Sequence, residues 1–479
     1  MNNVVELLIK SAKLFNNKIA MTDNTRQVTY SELLEQTNRF AQWLSNNNIK
    51  KNDKVTIALY DSIDTCAMFF AIVKLGAIAI IVNPRGKKDN LMYQLNFVES
   101  DLVLVEQNLI DLVKTTKFKV ELINTVVFES KLLNEFNDPI DTNKDLIACF
   151  LWTSGTTGHP KAVPHTHKNI FTTIESSING MNPSIGDKFY CTGKLFFSIG
   201  LKYSFLLPIA IGAESFIESG LSTPYTVKKN LSQYKPSRFY SVPVIYSYLL
   251  EQQNFDIPKA KFYASGDKLP QLMIDKWKSL TSQPIHSLFG TTECFSAILY
   301  NREGTADLGT PMPGFELRIA DNNDIVVSDG VVGSLQVKAS TMGLCYYNDA
   351  VETSKKFKEW MNTGDLAYRT SDNHFHHMGR TSDIIKINGQ FINPIEIEET
   401  IQQFPGVLQS AVISKLGNND IEEIEAFVVS DKMVNIDRSK LKKWVISRHE
   451  KHACPKVFHM VDELPRTDTG KIQRYLLKD

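Results

Sequence analysis

Apolar residues in the first hundred positions recur at two different spacings. Leu33, Thr37, Phe40 and Leu44 fall at helical spacing with Trp43 beside them, which predicts an amphipathic helix. Thr29-Tyr30-Ser31-Glu32 stands before it as a capping box, with Thr29 as N-cap and Glu32 reaching back. Val55-Thr-Ile-Ala-Leu59, Ala77–Val82 and Leu102–Val105 are short apolar runs that predict strands, the second buried on both faces because every position is apolar. The most apolar stretch, Cys66–Val82, is broken by Lys74 and Gly76. It falls short of the roughly 20 apolar residues a spanning helix needs, so it predicts a helix followed by a buried strand. Strands separated by helical stretches imply βαβ units and a mostly parallel sheet. That texture runs to about Gly309. From Gly314 it gives way to glycine-punctuated strands, Phe315–Ile319 and Gly333–Val337, expected to form a β-rich subdomain. After Gly379-Arg380 the pattern is that of a small α+β unit. It has a helix from Pro394, strands near Ala411 and Ala426, and a helix from Ser439 to His449. The expected fold class is α/β, with a large N-terminal domain over residues 1–379 and a small C-terminal domain over 380–479. There is no internal repeat and no low-complexity tract.

Length supports this division, because 479 residues are too many for one ordinary core. The chain is 43% apolar and 22% charged, a globular composition. Lys+Arg and Asp+Glu are both 53, which argues against nucleic acid or an anionic membrane as the main partner. Cys66, Cys149, Cys191, Cys294, Cys345 and Cys454 are scattered with no CxxC pair, so neither a zinc site nor a disulfide framework is expected. Reduced thiols fit a cytoplasmic protein. The opening residues Met1–Glu6 lack the basic region and apolar run of a secretory signal, and no membrane insertion is expected.

The strongest local signal is Thr153-Ser-Gly-Thr-Thr-Gly-His-Pro-Lys161, with four hydroxyl residues and two glycines in its first six positions. Glycines let a backbone approach phosphate closely, and the N–H groups and hydroxyls supply donors. The spacing is not that of a Walker loop, and taken alone an ordinary turn remains the bland reading. A second signal is Leu464-Pro-Arg-Thr-Asp-Thr-Gly-Lys-Ile-Gln-Arg474. A lysine in a terminal loop is usually a solvated charge, but a mobile point charge also suits one that must reach a phosphate.

Between them stand Phe289-Gly-Thr-Thr-Glu293, Asn362-Thr-Gly-Asp365, Gly379-Arg380-Thr-Ser-Asp383, Lys386-Ile-Asn-Gly389 and Pro394-Ile-Glu396. Each motif is weak alone; in this order they are specific. The set resembles the adenylate-forming (AMP-binding) superfamily of acyl-CoA synthetases, luciferases and stand-alone adenylation domains, over nearly the whole chain from Thr29-Tyr30 to Gln473-Arg474. The resemblance implies that ATP and a carboxylic acid react to an acyl-adenylate and pyrophosphate, and that the acyl group then passes to a thiol with release of AMP. That thiol is coenzyme A or, alternatively, the phosphopantetheine of a carrier protein.

The resemblance also implies roles. Thr153, Ser154, Gly155, Thr156, Thr157, Gly158 and Lys161 would hold the β- and γ-phosphates. Thr292 would contact the α-phosphate and Glu293 would hold Mg²⁺. Asp365, with Arg380 nearby, would accept the ribose hydroxyls. Ser265, Gly266, Asp267 and Phe289, with Gly290 and Thr291 following, would frame the adenine. Lys471 would bridge the acid's carboxylate and the α-phosphate. A large rotation of the mobile small domain about Ser382 would withdraw Lys471 and bring in the face carrying Lys386 and Gly389 for the thiol. Two positions depart from the family pattern: Ser382, where relatives often have Asp or Lys, and Ala162, where glycine is common. A binding protein that kept the fold and lost activity is the rival class, and retention of Lys161, Glu293, Asp365, Arg380 and Lys471 argues against it.

The segment Lys194–Leu201 would line the acyl pocket. Amino-acid-activating relatives place an aspartate at Phe197, so an α-amino acid is not expected; Phe196, Phe197 and Ile199, with Gly200, favour an apolar or aromatic acid. Val242, Ile245, Tyr246 and Ile298 would extend the wall, and His167 would pack beside the acyl or phosphate site. Within the superfamily the chain is most similar to benzoate- and other aryl-CoA ligases, through Leu195–Gly200, Asn301–Gly304 and Gly309–Arg318. His374, His376 and His377 read as a surface turn rather than a metal site, and Lys440–Trp444 as a solvated helix face. A monomer or homodimer is expected.

Overall fold

The computed structural model describes all residues except 115, 137, 139–142, 154–158, 252–256, 388–389, 417–421, 432–433, 435, 451–452, 467–471 and 479; at 296, 386, 390 and 391 it describes the backbone alone. The capping box forms as expected. Thr29 Oγ1 accepts the Glu32 N–H at 3.2 Å and Glu32 Oε2 accepts the Thr29 N–H at 2.7 Å. The helix Tyr30–Asn46 that follows buries Leu33, Phe40, Trp43 and Leu44 on one face. Ile63–Lys74 is helical and Ile78–Ile81 is a fully buried strand, so the apolar stretch divides where Lys74 and Gly76 interrupt it. Lys74 is tolerated at the buried end of that helix because Asn38 Oδ1 and the Phe136 carbonyl accept its ammonium at 2.5 and 3.0 Å.

Two large sheets form the body of the N-terminal region. One has six strands in the order Lys119–Leu122, Leu102–Val105, Lys54–Ala58, Ile78–Ile81, Ile147–Thr153 and Lys161–Thr166. All its pairings are parallel except the last, an antiparallel hairpin at the edge. The other has nine strands, with a parallel centre built from Lys261–Ser265, Arg238–Ser241, Lys188–Cys191 and Glu214–Ile217. Helices cover these sheets, and Phe69, Phe70 and Phe205 meet edge to face at 4.7–6.1 Å in the shared core. The expected β-rich stretch is a four-stranded antiparallel sheet, Phe315–Ala320, Gly333–Ala339, Met361–Arg369 and Phe375–Arg380.

Beyond Ile385 the chain builds a separate core from Ile397, Ile401, Val412, Ile424, Val428, Leu441 and Phe458. Its three-stranded sheet pairs Val407–Leu416, Glu422–Ser430 and Val457–Met460 under the helices Pro394–Gln402 and Arg438–Ile446. The second helix ends three residues before the expected His449. Ion pairs cross between the two regions at Lys268–Glu399 (2.5 Å) and Arg466–Asp267 (3.7 Å). All six cysteines are free thiols. Among the described residues no helix is long and apolar enough to cross a membrane.

Candidate active site

The ends of the Thr153–Lys161 motif lie in the edge hairpin. Thr153 ends one strand and Lys161, directly opposite, begins the next. Ser154, Gly155, Thr156, Thr157 and Gly158 lie outside the described residues. Lys161 turns back onto the protein: its Nζ pairs with Glu352 Oε2 at 2.7 Å and sits 4.9 Å from the centre of the Tyr346 ring. Ala162 is fully buried opposite Trp152 and its carbonyl accepts the Tyr347 N–H at 2.9 Å, so a methyl group fits where relatives carry glycine.

Two neighbouring parallel strands deliver the next residues at their carboxyl ends, where open α/β sheets characteristically bind ligands. Ser265 ends Lys261–Ser265 opposite Leu288. Gly266 follows at φ +98°, a conformation glycine adopts without strain, and turns the chain toward Asp267. Phe289, Gly290 and Thr291 end Ile285–Thr291. The Thr291 hydroxyl then accepts the Cys294 N–H at 3.3 Å, which closes the 3₁₀ turn Thr292–Cys294 and buries Glu293. Tyr346 donates its hydroxyl to Glu293 Oε1 at 2.5 Å. Burial opposes ionisation of this carboxyl, but the charge of Lys356 and the Tyr346 hydrogen bond outweigh it and hold its pKa below the ordinary value.

Asp365 and Arg380 face each other across two antiparallel strands, with Arg380 Nε 3.0 Å from Asp365 Oδ1. His377 Nε2 meets the same oxygen at 3.0 Å, and its ring lies 5.8 Å from that of Phe289. The histidine cluster is therefore not a surface turn. His376 and His377 belong to the strand Phe375–Arg380, because the alternation of that strand turns His377 inward toward Asp365. A second histidine also departs from expectation. His167 is buried at the start of the helix His167–Met181, where its Nδ1 accepts the Val4 N–H at 3.1 Å. His165 is the residue beside the site: its Nε2–H donates to the Thr292 carbonyl at 2.9 Å, and burial lowers its pKa to about 4, so it is neutral.

In the acyl segment the Phe196 and Phe197 rings pack 4.3 Å apart. Gly200 has no room for a side chain, since a Cβ there would lie 2.1 Å from the Lys194 carbonyl oxygen. Buried Asp61 accepts the Leu195 N–H at 3.1 Å, and Lys194 donates to the Glu218 carbonyl at 2.9 Å; together they fix the start of the segment. Phe196, Ile199 and Ile298 pack in the main core. Val242, Ile245 and Tyr246, expected on the same wall, pack in a separate cluster with Phe262 and Trp277, because they follow a different strand onto the other face of the sheet.

Of the thiol-face residues, Lys386 is described only as backbone in the strand Ile385–Ile387, and Gly389 and Lys471 lie outside the described residues. Ser382 is exposed between Phe375–Arg380 and Ile385–Ile387, donating to Asp383 Oδ1 at 3.0 Å. The sequence reading missed Tyr346, Glu352 and Lys356, which lie on the segment 343–357 and carry no motif. Tyr346 and Lys356 complete a continuous path from Lys161 to Asp365. Lys161 lies over the Tyr346 ring, and Tyr346 holds Glu293. Phe357 packs 5.1 Å from the Tyr346 ring, and its neighbour Lys356 donates to the Thr363 carbonyl at 3.1 Å, which Arg380 also reaches.

The profile of the "AMP-binding enzyme" family matches residues 8–347, and that of the "AMP-binding enzyme C-terminal domain" matches residues 396–471. A benzoate–CoA ligase of Thauera aromatica is 28% identical over 490 residues, covering 96% of this chain and 92% of that enzyme. A 4-hydroxybenzoate–CoA/benzoate–CoA ligase of Rhodopseudomonas palustris is 28% identical over 488 residues, covering 96% and 90%. The crystal structure of an anthranilate CoA ligase in complex with anthranoyl-AMP superposes with a TM-score of 0.93 at 25% identity, covering 99% of this chain and 96% of that one.

Proposed function

The chain belongs to the AMP-binding enzyme family, and from that premise we propose that it activates an aromatic or similarly apolar carboxylic acid. It is an AMP-forming acid–thiol ligase: ATP and the acid give an acyl-adenylate, and coenzyme A takes the acyl group. The observation that carries the reading is the set of contacts, through Tyr346, Phe357, Lys356 and Thr363, that connects Lys161, Glu293, Arg380 and Asp365. The paired rings of Phe196 and Phe197, with no carboxylate at Phe197, support an aryl substrate over an amino acid. The benzoate- and hydroxybenzoate-CoA ligases among its relatives support the same class.

The chemistry needs no protein nucleophile. A carboxylate is already ionised at pH 7, and the obstacle is bringing it against the α-phosphate, another anion. Positioning and charge neutralisation therefore supply the rate. Asp365 accepts the ribose hydroxyls, Phe289 and the Ser265–Asp267 turn frame the adenine, and Thr292 meets the α-phosphate. Lys471 brings a cation to the point where charge builds in the transition state. Glu293, buried and held ionised, suits a hard divalent cation and would hold Mg²⁺. An ion held there would offset the negative charge of the phosphates. The residues beyond Ser382 rotate about it between half-reactions, withdrawing Lys471 and presenting Lys386 and Gly389 to the pantetheine arm.

Incubation with ATP, Mg²⁺, hydroxylamine and a panel of benzoates, short fatty acids and amino acids tests this by hydroxamate formation, with Lys471→Ala beside it. Product from benzoates that vanishes in the variant is expected. Product from amino acids and none from benzoates would overturn the substrate class.

A further inference from the structure

Lys356 ends the helix Ala350–Lys356. Its neighbour Lys355 points outward and pairs with Glu352 at 2.8 Å, whereas Lys356 points inward. Among the described residues its one hydrogen bond is to the Thr363 carbonyl, at 3.1 Å. That oxygen is already served, since Arg380 Nη1 reaches it at 3.3 Å. An ammonium has three donors, so two remain for another acceptor. Arg380 and Asp365 flank Lys356 on one side. On the other, the next residue, Phe357, packs its ring 5.1 Å from that of Tyr346, which donates to Glu293. On the proposed reading Asp365 marks the ribose and Glu293 the metal. The group that lies between ribose and metal in a nucleotide is the α-phosphate.

The bland alternative is a structural lysine that satisfies Thr363. It accounts poorly for an inward-facing ammonium with three donors beside a carbonyl that Arg380 already serves. We infer that Lys356 is a catalytic residue of the second half-reaction: a cation fixed on the large domain that meets the charge AMP gains as it leaves. The inference rests on the function proposed above. In that step the CoA sulfur attacks the acyl carbonyl carbon and a C–S bond forms. The bond from that carbon to the phosphate oxygen breaks, its electron pair stays on AMP, and the thiol proton goes to water. One negative charge therefore develops on the α-phosphate. Lys471 travels with the small domain and is absent at that moment, whereas Lys356 does not move.

Single-turnover conversion of benzoyl-adenylate and CoA to benzoyl-CoA tests this, with wild type, Lys356→Met, Lys356→Gln and Lys356→Arg. Loss of one transition-state donor typically slows a reaction by about 100-fold. We expect that loss in both uncharged variants and most of the rate in Lys356→Arg. Calorimetric binding of AMP without magnesium is expected to weaken roughly tenfold in the uncharged variants, a readout independent of turnover. A matching unfolding midpoint separates a lost charge from a lost fold. Wild-type rates and AMP affinity in folded Lys356→Met, or an equal loss in Lys356→Arg, would overturn the inference. If wild type itself converts no acyl-adenylate, the proposed function fails instead, and the AMP affinities alone decide whether Lys356 meets the phosphate.

Discussion

Asp365→Asn removes one charge and changes almost nothing in shape. Asp365 is 2% exposed and lies 3.0 Å from both Arg380 and His377. The asparagine retains an acceptor for one of those donors, and the Arg380 side chain is 37% exposed, so water screens much of the loss. The stability cost is about 1–2 kcal/mol, well below that of breaking a fully buried pair. The effect on nucleotide binding is larger. A hydrogen bond to a charged group contributes about 1.5–3 kcal/mol, and a ribose offers two hydroxyls to this carboxylate. A loss of ~3 kcal/mol corresponds to roughly 150-fold weaker ATP binding. Calorimetry with ATP and with 2′,3′-dideoxy-ATP isolates the effect. Wild type should prefer ATP by about that factor, and the variant should bind both alike. A variant that still prefers ATP as strongly as wild type would refute the assignment of the ribose to Asp365, whatever its overall affinity.

Glu352→Gln should release Lys161 from its ion pair and tighten ATP binding about two- to fivefold, the range of a partly exposed pair; equal affinity by calorimetry would mean that Lys161 does not reach the phosphates. Ser382→Pro should leave hydroxamate formation near wild type and suppress thioester formation, and equal loss of both would remove Ser382 as the hinge. His165 is neutral in the fold with a pKa of about 4 against 6.5 unfolded, so the unfolded chain binds the extra proton between those values. Its contribution is complete above pH 6.5 and declines as pH falls toward 4. Denaturant unfolding across that window should therefore show wild type losing stability faster than His165→Gln as pH falls, and parallel curves would contradict a buried neutral imidazole.

Local physics explains how much of the site was legible along the chain. Thr29 and Glu32 satisfy each other's backbone within one turn, so the capping box needs no tertiary partner to be recognised. The fully apolar run around Ile78–Ile81 leaves nowhere but the interior. Glu293, Asp365 and Arg380 stand in short motifs because turns and strand ends fix their backbones locally. Histidines were different. In sequence His165 and His167 are two steps apart and chemically identical. The strand Lys161–Thr166 aims one at Thr292, while the helix beginning at His167 aims the other at Val4. His377 looked like part of a polar surface cluster until strand pairing set it against an acid 12 residues earlier in the chain.

The sequence by itself determined the order of elements and the two-part division, which rest on periodicity, and the family, which rests on the resemblance carried by its ordered motifs. Only the tertiary structure decided that Lys161 rests on Glu352, that Val242 and Ile298 lie in different cores, and that Tyr346 and Lys356 join the site. The reason is physical: a charge is assigned its partner by what surrounds it in space. Tyr346 and Lys356 come from positions more than fifty residues beyond Glu293, one just before the helix Ala350–Lys356 and the other at its end, in a stretch that carries no motif.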